Sequence, residues 1–245
     1  MIRKAYRDIW SYIVEKCTKY FSFLLVFLIL LFVFRPYDRG GVYSSVWQFC
    51  LTGVFISSIF NVQHTKAVTW IIVLLGVPAL VCNFLMFFYE DFIYTTLFYL
   101  LTFGFIMVCS GSIISKVLLN ARVTMETLRG VVCVYFMIAF GFAFLFVMIE
   151  YVVPGSFVLD PEARNFYNHT RILSEMMFFS FVTLLSIGFG TINAIKDVAQ
   201  TFTIIEGIIG QFYVAILVAR LLGIYSYYAD AKQAKRSKKH VFPEH

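Results

Sequence analysis

Charge is scarce in this sequence. Lys, Arg, Asp and Glu make up 14% of the 245 residues, against roughly 25% in an ordinary soluble domain. The charges are confined to short gaps between long apolar runs, and 60% of the chain is hydrophobic. That arrangement excludes a water-exposed globule and gives a polytopic helical membrane protein, because about 20 apolar residues cross a bilayer. Histidine is sparse too: the four stand at 64, 169, 240 and 245, none inside an apolar run. A membrane enzyme needs a nucleophile–base pair or a metal cluster at membrane depth, so the expectation is a chain that is not an enzyme and carries no cofactor. The five cysteines (Cys17, Cys50, Cys82, Cys109, Cys133) form no Cys-x-x-Cys pair, and four lie in apolar runs, where a thiol behaves as a small hydrophobe. Neither a disulfide nor a metal site is expected from them. The run Phe92–Ser115 contains no arginine, whereas a voltage sensor needs several at regular spacing through the membrane; no strong voltage dependence is expected. The net charge of +6 is assigned to the positive-inside bias, not to nucleic acid.

The apolar runs are Tyr20–Phe34, Val42–Phe60, Ala67–Phe88, Phe92–Ser115, Leu128–Tyr151 and Thr201–Tyr225, read as six transmembrane helices. The first follows basic residues, as a signal peptide would, but ends at Arg35-Pro36-Tyr37 with no small-x-small cleavage site, so it stays as an uncleaved span. Residues 1–19 place Ile2, Tyr6, Ile9, Trp10 and Ile13 at helical spacing among Arg3, Lys4 and Arg7, predicting an amphipathic cytoplasmic N-terminal helix on the membrane surface. Basic residues concentrate at the N-terminus, around Lys116, Arg122 and Arg129, and in the tail, which makes both termini cytoplasmic. Residues 226–245 form a basic cytoplasmic tail, expected to be disordered from Asp230 onward, and Lys232, Lys235, Arg236, Lys238 and Lys239 suit anionic lipid. Pro78 after Gly76 predicts a kink or local unwinding. Between the last two spans lies Met176–Ile187, apolar but only twelve residues long. That length fits a re-entrant segment, here entering from outside.

This short segment leads into Thr183-Leu184-Leu185-Ser186-Ile187-Gly188-Phe189-Gly190-Thr191. A cation that leaves water needs a substitute shell, which stacked rings of backbone carbonyls supply. Aiming successive carbonyls one way needs alternating backbone geometry that glycine adopts cheaply, and Gly188 and Gly190 have the spacing. The stretch resembles the pore helix and selectivity filter of potassium channels, whose pattern reads Thr-x-x-Thr-Val-Gly-Tyr-Gly-Asp. Thr183, Ser186, Ile187, Gly188, Phe189 and Gly190 occupy its positions, with Ser for Thr, Ile for Val and Phe for Tyr. Downstream, Ile205 through Leu221 resembles the inner helix of small prokaryotic channels, of the two-pore-domain or ion-transport pore type. The resemblance covers roughly 128–223.

It implies an all-α integral membrane fold of six transmembrane helices plus one re-entrant pore helix and filter loop per subunit, four subunits forming one pore. The implied division is a four-span membrane domain over 20–127, without voltage-sensor arginines, and a pore domain over 128–225. Permeating potassium would bind at the carbonyls of Ser186, Ile187, Gly188 and Phe189 and the Ser186 hydroxyl, with Gly190 completing the filter. Partners would be three identical copies and membrane lipid, in a prokaryotic inner membrane.

Thr183, Thr191 and Glu206 are expected to support the filter, Glu206 because a carboxyl inside an apolar span is costly and usually paired or functional. Gly207 and Gly210 would form a gating hinge or a close-packing surface. Glu175 is expected to cap the start of the pore helix. Phe189 lacks the Tyr hydroxyl and Thr191 replaces an Asp, which leaves open a weakly selective cation channel or a non-conducting structural subunit.

Overall fold

Backbone polar groups in an apolar medium must find partners within their own segment, and a helix achieves this. Every apolar run has folded so. The computed structural model describes residues 20–34, 41–61, 66–88, 92–119, 125–159 and 169–241; the expected helix of residues 1–19 lies outside them. In chain order come α1 (Tyr20–Val33), α2 (Gly41–Asn61), α3 (Lys66–Phe88), α4 (Phe92–Leu119), α5 (Met125–Val152), β1 (Phe157–Val158), α6 (His169–Leu184), β2 (Asn193–Ala194) and α7 (Asp197–Val241). Four helices among the described residues are long and apolar enough to cross a membrane, namely α3, α4, α5 and α7. The apolar stretches of α1 and α2, Phe21–Val33 and Val46–Ile59, are shorter.

The core is organised around α5, which packs against α1, α4, α6 and α7. The apolar window of α5 is 78% buried, whereas that of α7 is 11% buried. Helix α5 is therefore an interior strut, while α7 is held along one face and offers Ile204, Ile208, Phe212 and Ile216 outward. Lipid tails are as apolar as the side chains, so helix association in a membrane depends on shape and hydrogen bonding more than on escape from water. Phenylalanine supplies the shape. Phe146, Phe157 and Phe179 form a triangle of rings with centroids 5.3–5.4 Å apart. Phe181 of α6 meets Phe140 of α5 at 5.3 Å and Phe32 of α1 at 4.8 Å. Each such pair adds about 0.5–1.5 kcal/mol beyond its buried area.

Three expectations need correction. Helix α6 begins at His169, before the apolar segment at Met176, so Glu175 lies inside the helix and does not cap its start. It stands 3.9 Å from the Nε of Arg171, one turn earlier. Helix α7 continues to Val241, where disorder was expected from Asp230. The reason is local: Ala231 to Arg236 are good helix formers, and the next proline after the span is Pro243. Helix α3 runs through Pro78 without interruption, so no local unwinding occurs.

Beyond α5 the chain turns sharply at Gly155, whose φ of 79° suits glycine. Glu150 holds this turn, its two carboxylate oxygens accepting from the backbone N–H groups of Gly155 (2.8 Å) and Phe157 (3.0 Å). The turn delivers β1 to an antiparallel pairing with β2, Phe157 opposite Ala194 and Val158 opposite Asn193. We expect Glu150→Ala, which strands two backbone donors, the Phe157 one buried, to lower stability by about 1–3 kcal/mol, measured as a fall in the thermal unfolding midpoint of purified protein, with Glu150→Gln falling between.

Candidate functional site

The site is the irregular segment between α6 and α7. Its lower end is a helix terminus. The N–H of Ile187 donates to the Val182 carbonyl and that of Ser186 to the Thr183 carbonyl, both at 2.9 Å. These are the paired bonds of a Schellman C-cap, with Ser186 at the left-handed C′ position usually held by glycine. Its φ is 56°, the one positive value at a non-glycine among the described residues. Gly188 (64°) and Gly190 (73°) follow at every second position, while Ile187 and Phe189 stay at negative φ. Alternating hand along the backbone is the geometry that can aim successive carbonyls one way. No neighbour lies within 4 Å of a Cβ built on Gly188 or Gly190; torsion, not crowding, requires glycine there.

Both ends of this alternating stretch are fastened. Below, Gln211 of α7 donates from Nε2 to the Ser186 hydroxyl oxygen at 2.5 Å, and the Tyr135 hydroxyl of α5 donates to the Leu184 carbonyl at 3.2 Å. Above, Asn193 Nδ2 donates to the Gly190 carbonyl at 2.9 Å. The Ile195 N–H then donates to the Ser156 carbonyl at 2.8 Å, which ties the exit to the turn after α5. The Phe189 ring stacks on Phe178 of α6, with centroids 5.9 Å apart and planes 5° from parallel. Residues 185–191 are all exposed in the single chain.

The expected site residues are only partly brought together. Ser186 to Gly190 form one continuous strip, and Thr183 supports it by accepting from Ser186. Thr191 is exposed beyond it. Glu206 lies behind α6, fully buried, and meets Ser180 instead of the strip itself. Helix α7 is unbroken at Gly207 and Gly210. A Cβ on Gly210 would lie 2.5 Å from the Leu184 carbonyl oxygen, whereas one on Gly207 meets nothing within 4 Å. Gly210 therefore lets α7 press against the end of α6.

Gln211, Asn193, Tyr135 and Ser180 were not singled out from sequence. For Gln211 and Ser180 a signal existed, since each is a polar side chain in an apolar run; Tyr135 and Asn193 gave none, because their partners are set by tertiary contact and turn geometry.

Residues 132–226 match the family model described as an ion channel, in agreement with the resemblance of the filter sequence. The matched span runs from α5 through α6 and the alternating strip into α7, so this part of a multi-pass membrane protein is similar to an ion-channel domain. No curated protein and no solved structure matches the chain.

The two glycines of α7 give a paired test. Gly210→Ala should force α7 off the end of α6 and cost about 1–3 kcal/mol, while Gly207→Ala should be tolerated or gain up to about 1 kcal/mol from helix propensity. Thermal midpoints of the two variants check the difference.

Proposed function

We propose that the chain is one subunit of a tetrameric potassium channel that passes ions down their gradient through rings of backbone carbonyls. The observation that carries this reading is the alternation of left-handed backbone at Ser186, Gly188 and Gly190. In four copies around an axis, the carbonyls of Ser186, Ile187, Gly188 and Phe189 would replace the water of a desolvated cation. Assembly is supported by the exposure of residues 185–191 and of the apolar face of α7. Helix α6 would be the re-entrant pore helix, its C-terminal end directed at the ion path. In this reading α1 to α4 form a four-span domain over 20–127, giving six spans, and 128–225 form the pore domain. The basic tail 226–245 lies in the cytoplasm of a prokaryotic cell, near anionic lipid, with the N-terminus on the same side.

A weakly selective cation channel is the second reading, and two observations favour it. The Ser186 hydroxyl oxygen already accepts from Gln211, which weakens it as an ion ligand. Phe189 offers a ring contact where a Tyr would offer a hydrogen bond.

Purified protein in liposomes, with potassium and sodium fluxes measured separately, tests both readings. Potassium flux well above sodium flux is the expected outcome; equal fluxes select the second reading. Gly188→Ala, which places a side chain at φ 64° and adds about 1–2 kcal/mol of strain, should remove the flux. An unchanged flux in that variant would leave a non-conducting subunit with a vestigial filter. Voltage jumps on the same protein should show no steep activation, since α4 carries no arginine within Phe92–Leu119.

A further inference from the structure

Glu206 stands in the apolar part of α7 with 0% of its surface exposed. Its own chain covers it, so no neighbouring copy reaches it. Its Oε1 is within hydrogen-bonding distance of the Ser180 hydroxyl on α6. The same hydroxyl lies 2.6 Å from the Ala139 carbonyl on α5. One oxygen, Ser180 Oγ, is thus shared by three helices.

The hydrogens available decide what this contact is. A serine hydroxyl has one hydrogen to donate, a backbone carbonyl has none, and an ionised carboxylate has none. With Glu206 ionised, Ser180 would face two acceptors with a single hydrogen, and one short oxygen–oxygen contact would be repulsive. With a proton on Glu206 Oε1, the acid donates to Ser180 Oγ and Ser180 donates to the Ala139 carbonyl, so each contact holds one hydrogen.

The surroundings point the same way. Glu206 Oε2 is buried without a hydrogen-bond partner. For the carbonyl oxygen of a neutral acid this loses one ordinary bond, whereas for half of a carboxylate it leaves charge uncompensated. Among the described residues no cation pairs with Glu206. From α5 the titratable group facing it is Tyr135, whose hydroxyl is turned to the Leu184 carbonyl. Beside Tyr135 stand Tyr213 of α7, bonded to the Val131 carbonyl, and Cys133, bonded to the Phe21 carbonyl. On α6 the titratable pair Arg171 and Glu175 lies toward the start of the helix, 3.9 Å apart. Glu150, by contrast, has both side-chain oxygens occupied by backbone N–H donors.

We infer that Glu206 is held as a neutral carboxylic acid that donates to Ser180 and through it to the Ala139 carbonyl, a three-helix clamp that positions the pore helix under the filter. Ser180 is six residues before Ser186 on the same helix and its cap, so a shift of α6 at the clamp moves the strip it ends in. The positioning role rests on the channel reading above; the placement of the proton does not.

Infrared difference spectra of the purified full-length chain, wild type against Glu206→Gln at neutral pH, read the proton directly. The expected result is a protonated-carboxyl carbonyl band in the wild type that is lost in the variant; a wild type without that band overturns the inference. Liposome flux reads the role. Gln has the reach and the donor of the neutral acid, so Glu206→Gln should conduct as the wild type does, while Glu206→Ala and Ser180→Ala should lose flux. A Gln variant as impaired as the Ala variant overturns the clamp. The band present with no flux in any form, wild type included, upholds the neutral acid and defeats the channel reading instead.

Discussion

Non-helical backbone between two apolar helices must find a partner for every polar group it withdraws from helix geometry, because hydrocarbon supplies none. In this chain neighbours on three sides answer part of that demand along the strip from Leu185 to Lys196. Helix α6 takes the N–H groups of Leu185, Ser186 and Ile187. Helix α7 contributes Gln211 from below, and the ribbon of β1 and β2 receives the chain above. Under the channel reading proposed above, the carbonyls of Ser186, Ile187, Gly188 and Phe189 are the groups a desolvated cation would use.

The scaffold has to be stiff for this to work, and in a membrane stiffness comes from interlock. The ring triangle of Phe146, Phe157 and Phe179 joins α5, the ribbon and α6 at the upper end of the strip. Lower down, Phe181 is wedged between Phe140 and Phe32. These interior phenylalanines are therefore more than apolar filler. Their rings mesh at angles that lipid tails do not reproduce, which is where an apolar helix gains by packing on protein instead of lipid. Polar contacts fix the remaining freedom: Tyr213 to the Val131 carbonyl, Ser180 to the Ala139 carbonyl and Arg129 to the Ser22 hydroxyl each join two helices at one point.

How far these features could be read in advance depended on the range of the interaction behind them. Helices were legible because the apolar run itself makes the helix. Gly188 and Gly190 were legible because a torsional demand selects the residue type at that position. Helix limits were less so: α6 begins seven residues before its apolar run, since a helix can extend through polar sequence wherever no breaker stops it. Glu175 was misplaced for the same reason. Gln211, Tyr135 and Ser180 act through partners 25, 49 and 26 to 41 positions away, and no local pattern encodes such a pairing. Glu206 lay between these cases, recognisable as a costly group in need of a partner, with the partner unspecified.

Ser186 shows why the departures from the potassium-channel pattern are not independent of one another. It closes a Schellman cap at φ 56°, and a left-handed residue with a β-branched side chain would be a far greater outlier than one without. Serine keeps the hydroxyl that threonine would bring while shedding the methyl group that makes this torsion expensive. The hydroxyl then has a second claimant in Gln211, whose backbone position is set by the close approach of Gly210 to the Leu184 carbonyl. Torsion at Ser186, contact at Gly210 and the amide of Gln211 thus constrain one another, and changing one alters what the others must tolerate. The Ser186 end of the proposed filter is in this sense defined by α7 as much as by the filter sequence, which couples the geometry of the long helix α7 to the oxygens that the channel reading assigns to an ion.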